Sequence, residues 1–238
     1  MRKSAIWVLA RKELAVLFHT PATYVIAVVF LLINGWLFVS PLFQMNQSTL
    51  DTFVRPLPLI FTFLVPALTM RSFSEEFKAG TIEYLATLPI QNHEIVLGKY
   101  LASLGMILVL VAFTLFYPLV LFIVGRPDLG QMMGAYVSIL GLASFFAGIG
   151  LWASALTRNQ VVAFIMGFFV CFIFFLLGRV ADLLPGVLSS VVRDFSVDTH
   201  FDALARGVLD TRDILYWASG TFFFLSACLM VLQSRKWR

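Results

Sequence analysis

The sequence predicts an all-α integral membrane protein: six transmembrane helices, an N-terminal interfacial helix, a cytoplasmic segment between spans two and three, and outer re-entrant helices between spans five and six. Three observations carry this. Of the 238 residues 60% are apolar and 13% charged, with a mean hydropathy of +0.92, a balance that belongs to membrane chains rather than soluble domains. Six stretches with almost no charge each approach or exceed the ~20 residues needed to cross ~30 Å of hydrocarbon. Basic residues gather at both ends, Arg2, Lys3, Arg11 and Lys12 against Arg235, Lys236 and Arg238, which places both termini in the cytoplasm and makes the number of spans even.

Residues 1–20 read as the interfacial helix. Ile6, Trp7, Ala10, Leu14, Leu17 and Phe18 recur every three or four positions and share one face. Ser4, Lys12 and His19 lie opposite, and Lys3 and Arg11 sit at the margins, where long basic side chains snorkel towards phosphates. The start has no apolar core followed by a small-residue cleavage site, so it does not read as a removed signal peptide, and the first span does the targeting.

The spans follow at 22–40, 53–70, 95–124, 131–157, 161–178 and 214–233. Pro21 separates the first from the interfacial helix, and the polar stretch Gln44 to Thr52 ends it on the outer side. Pro56, Pro58 and Pro66 give span two an irregular start and a kink, because each proline removes a backbone donor. Span three has Lys99 near its start and Pro118 towards its outer end, and a turn at Gly125 to Asp128 follows it. Span four carries Gly134, Gly141, Gly148 and Gly150, which permit close helix packing. Arg158, Asn159 and Gln160 make an inner turn before the phenylalanine-rich span five. Residues 179–213 are too apolar for a free loop, yet Pro185, Gly186 and the acidic groups interrupt them before they could span.

The charge map agrees with this topology. Inner segments hold 11 of the 17 basic residues, all five lysines and all five glutamates, while all eight aspartates fall outside. The most polar stretch of the chain is Met70 to Lys99, with four of the five glutamates, and Gly80 and Pro89 break it. It reads as a cytoplasmic docking surface of two short helices, with Asn92 and Glu94 starting span three.

Several chemistries are absent from the sequence. The only Gly-Lys pair, Gly98 and Lys99, lacks the glycine and hydroxyl neighbours of a phosphate-binding loop, so the chain has no ATPase motif of that kind. His93-Glu94 opens like a zinc-protease motif, but Leu97 stands where the second histidine would be. His19, His93 and His200 fall in separate segments, and Cys171 and Cys228 lie inside apolar runs, so neither a metal site nor a disulfide is expected. No ionisable Asp, Glu, Lys, Arg or His is expected deep in a span, which disfavours an ion-driven carrier. The energy for transport then comes from outside the chain.

The segment FSEEFKAGTIEYLATLPIQNHEIVLGKY resembles the motif of type-2 ABC-transporter permeases, in which an acidic-Gly-Thr-Ile/Leu-Glu stretch precedes a Leu-Pro turn and a Gly-Lys at the start of the third span. SALTRNQ at 154–160 and HFDALARGVLDTRDILYW at 200–217 extend the similarity over nearly the whole chain, towards the gliding-motility-type branch. The resemblance implies a single transmembrane permease domain over 1–238, with 71–94 a coupling segment and Ser74 to Leu88 its coupling helix. Docking to the ATPase would involve Ser74, Glu75, Glu76, Lys78, Gly80, Thr81, Glu83 and Tyr84. It further implies a separate ABC ATP-binding subunit that holds ATP and Mg, a second permease chain in a homodimer or with a related permease, and the bacterial inner membrane as location. An extracytoplasmic auxiliary protein is a further expected partner, and the chain itself needs no cofactor and no nucleic acid. Transport, most simply export, is the leading function. A membrane anchor that passes on ATPase-driven movement without transport has the same sequence features, and an intramembrane hydrolase using Glu75, Glu76 and His93 is a third reading.

Overall fold

The computed structural model describes residues 5–45, 51–81, 90–124, 128–208 and 210–235. These residues form helices α1 (Ala5–His19), α2 (Pro21–Met45), α3 (Asp51–Val54), α4 (Leu57–Thr69), α5 (Arg71–Ala79), α6 (Asn92–Thr114), α7 (Phe116–Val124), α8 (Leu129–Leu156), α9 (Gln160–Ala181), α10 (Val187–Asp194), α11 (Val197–Ala205) and α12 (Thr211–Arg235). Among the described residues six stretches are long and apolar enough to cross a membrane: Pro21–Ser40, Leu57–Ala79, Asn92–Ile123, Leu129–Leu156, Gln160–Ala181 and Thr211–Arg235. The chain is a multi-pass membrane protein, and its described residues form helices and no strand.

Helix ends are set by caps rather than by hydropathy, so several helices outrun the apolar windows that announce them. Asp128 Oδ1 accepts from Gly130 N at 2.8 Å and starts α8 two residues before position 131. Asn159 Oδ1 accepts from Val161 N at 2.9 Å and starts α9. The third span begins at Asn92 with Gln91 as its N-cap: Glu94 Oε2 accepts from Gln91 N at 2.9 Å, one half of a capping box.

Pro118 breaks span three into α6 and α7 at Leu115. A proline has no N–H for the carbonyl four residues back and its ring crowds that carbonyl, here that of Thr114. The Tyr136 hydroxyl of α8 donates to Thr114 O at 3.0 Å, so the freed acceptor is satisfied inside the apolar layer. Pro66, by contrast, stays within α4, and the chain breaks four residues later at Met70.

Helix α8 is the centre of the bundle and packs on α4, α9, α11 and α12. Close approach explains its glycines. A Cβ on Gly141 would lie 2.6 Å from Trp217 Cδ1, and one on Gly150 would overlap the Thr69 hydroxyl. The Tyr100, Ser144 and Thr221 hydroxyls form a chain at 2.6 and 3.1 Å that ties α6, α8 and α12. Of the two short helices between α9 and α12, α11 buries Val197, Phe201 and Leu204, whereas α10 buries nothing.

The packed face of α1 is largely the one that periodicity selects, with Leu14, Leu17 and Phe18 against the core and Trp7 the exception. Leu9 and Ala10 are buried, Trp7 is 65% exposed, and the helix runs along α6 with Leu9 against Gly98 and Leu14 against Gly105. Glu13 thereby turns inward.

Candidate functional site

Helix α5 carries most of the described part of the polar segment. Met70, at its N-cap, has no side-chain oxygen to offer, so the first free N–H groups of the helix need another acceptor. Ser154, at the C-terminal end of α8, supplies it: its Oγ accepts from Phe73 N at 3.0 Å and from Ser74 N at 3.1 Å, and donates to Met70 O at 2.9 Å. All the hydrogen-bonding capacity of one buried hydroxyl is spent on holding the start of α5. The other end stops at Gly80, whose φ of 70° is left-handed, a conformation cheap only for glycine.

The middle of α5 is held by charge. Lys99 of α6 is 1% exposed, and its Nζ lies 2.7 Å from Glu76 Oε1 of α5 and 3.1 Å from Glu13 Oε2 of α1. The Phe73 ring lies beside the ammonium, 5.2 Å from its centroid, so the cation is desolvated and satisfied by two carboxylates and a π face. Removing the cation would strand two carboxylates that are each only 16% exposed. Near the C-terminal end, the Arg235 guanidinium of α12 stacks over Phe77 at 4.4 Å and donates through Nη2 to Leu156 O at 2.6 Å, the last turn of α8. One nine-residue helix is therefore bonded or stacked to α6, α8 and α12, and joined to α1 through Lys99.

The predicted docking positions divide. Ser74 is fully buried, with its N–H on Ser154 and its hydroxyl on Met70 O, and Glu76 faces Lys99. These two fasten α5 from within and do not form its outer surface. Glu75, Lys78, Gly80 and Thr81 are exposed together. Glu83 and Tyr84 lie outside the described residues, as does the second half of the expected Ser74 to Leu88 helix; the described helix begins at Arg71 and ends at Ala79. His93 is exposed at the start of α6, and Glu76 is committed to Lys99, so the structure does not bring Glu75, Glu76 and His93 together as one set of free groups.

Sequence reasoning missed Glu13, Ser154 and Arg235 as parts of the site, and saw Lys99 only as half of a Gly-Lys pair. The available signal was the isolation of Lys99: a lone ammonium within the span 95–124 needs a buried partner. Which glutamate answers it depends on tertiary packing.

No curated protein matches the chain. The family model described as "ABC-2 family transporter protein" matches residues 7–190, which takes in α1, the whole of α5, Lys99, Ser154 and α8. A domain of this kind is the membrane-spanning component of an ABC transporter and not its ATPase, and it implies a partner ATP-binding subunit. On that match, and with six helices fit to span, the chain belongs to the ABC-2 family of transporter proteins.

Proposed function

We propose that this chain is the permease of an ATP-driven exporter of the bacterial inner membrane, and that α5 is its coupling helix. Both termini are cytoplasmic in this reading. Two permease chains, identical or related, each receive an ATP-binding subunit against the exposed Glu75, Lys78, Gly80 and Thr81, and the ATP and Mg belong to that subunit. Closure of the ATP-binding subunits displaces α5, and α1 and α6 follow it because Lys99 joins them. The outer helices α10 and α11 act as the re-entrant pair, and an extracytoplasmic protein could receive cargo there. The single observation that carries the reading is the attachment of α5 to four other helices through Ser154, Lys99 and Arg235, since a short helix so bonded can pass a push to the bundle. A loop hung from its two ends could not.

The test is reconstitution with the ATP-binding subunit. Glu75→Lys combined with Lys78→Glu reverses the exposed charges without touching the buried bonds. ATPase stimulation by the permease should fall by about tenfold while insertion and thermal stability stay as in the wild type. Unchanged stimulation would move the contact away from α5.

A further inference from the structure

A cleft of ≈ 170 Å³ opens between α1 and α5, with α6 as its floor. Its volume is several times the ~30 Å³ share of one water, so a polyatomic group fits. It lies at the edge of the apolar layer: Thr20 on its rim precedes the first residue of span one, and Arg71 and Ser72 directly follow the break at Met70. Lys12, Arg71, Glu75 and Glu76 line it together with the apolar Val16 and Leu17.

Two of the residues that line it carry a buried atom with an unmet need, of opposite kind. Arg71 Nε is buried and has no acceptor, and Glu76 Oε2 is buried and has no donor, Lys99 having taken Oε1. Buried polar atoms left in this state cost free energy, and a guanidinium edge is the group best shaped to grip a phosphate with two parallel bonds. One ligand that brings both an acceptor oxygen and a donor nitrogen would answer both atoms. The apolar wall and the position beside the spans select a ligand with an acyl tail.

We propose that this cleft binds the headgroup of an aminophospholipid: its phosphate on Arg71 and Lys12, its primary ammonium on Glu76, and its glycerol end against Val16 and Leu17. The inference needs the membrane-spanning fold but no ATP-binding subunit, so it stands or falls separately from the coupling role of α5.

Native mass spectrometry of the full chain in detergent, titrated with lipids of one acyl composition, tests it. Phosphatidylethanolamine should remain bound as a single copy, while phosphatidylglycerol and phosphatidylcholine, which lack a primary ammonium, should bind roughly tenfold more weakly. Arg71→Gln should weaken phosphatidylethanolamine by a similar factor, and Arg11→Gln, on the exposed side of α1, should not. Equal retention of the three lipids would overturn the ammonium assignment even if no variant can be purified. Displacement of the lipid by inorganic phosphate would overturn a lipid source in favour of a free phosphate, and absence of any retained lipid would leave the cleft to water and overturn the proposal outright.

Discussion

The two nine-residue helices α5 and α11 both pack on α8, one at its C-terminal end by Ser154 and one in its N-terminal half by Ser138, but different forces hold them. Helix α11 buries Val197, Phe201 and Leu204 completely, takes its N-terminal bond from the adjacent Ser196, and is met by Ser138 of α8, whose hydroxyl donates to Phe201 O at 2.9 Å. Helix α5 buries only Phe73 and Ser74 and depends on bonds to distant residues. Apolar burial is non-directional and is lost gradually with area. A charge-assisted bond is lost over a few tenths of an ångström and can be remade in another arrangement. Helix α5 is thus attached by directional bonds and α11 by buried apolar area. Burial reaches the polar part of α11 too: with Asp202 nearby, it holds the Asp198 carboxyl above the usual carboxylate range.

Substitutions can break this contrast from either side. The largest effect is expected from Lys99→Met, which keeps the length of the side chain and removes the charge. It leaves Glu13 and Glu76 without their cation, a loss of ~3–5 kcal/mol that thermal unfolding in detergent would detect. Phe201→Ala should cost a comparable or slightly smaller amount, about 3 kcal/mol, through the cavity left under α11, with no change in how α5 is held. Ser154→Ala should cost less, about 1–2 kcal/mol, by freeing the first turn of α5, and protease sensitivity near Arg71 should rise with it. If Ser154→Ala and Phe201→Ala destabilised both helices equally, the two attachments would not be independent and the contrast would fail.

Much of this architecture is legible in the sequence. Six apolar stretches, the amphipathic first helix and the polar interruption at Met70 to Lys99 follow from hydropathy and charge, because a bilayer imposes a length and a polarity on each element. The glycines of α8 are legible as packing sites, and their partners, Trp217 and Thr69, are not. Pro118 announces a break, but only the fold reveals that Tyr136 repairs it. The site is less legible still. The exposed half of α5 stands out as charged residues in an apolar chain, whereas its fastening joins positions 13, 76, 99, 154 and 235, which no local spacing relates. Ser74 and Glu76 look like surface residues in the sequence because polar side chains usually are. They are turned inward because Ser154 and Lys99 wait there.

Backbone hydrogen exchange, read segment by segment in the full chain, tests the central claim most directly, because it reports the free energy of opening each helix by itself. In Lys99→Met, exchange across residues 71–79 should rise by at least about tenfold over the wild type, while exchange across 197–205 stays the same. Equal protection of 71–79 in both proteins would contradict the claim that a buried lysine fastens α5 to the bundle.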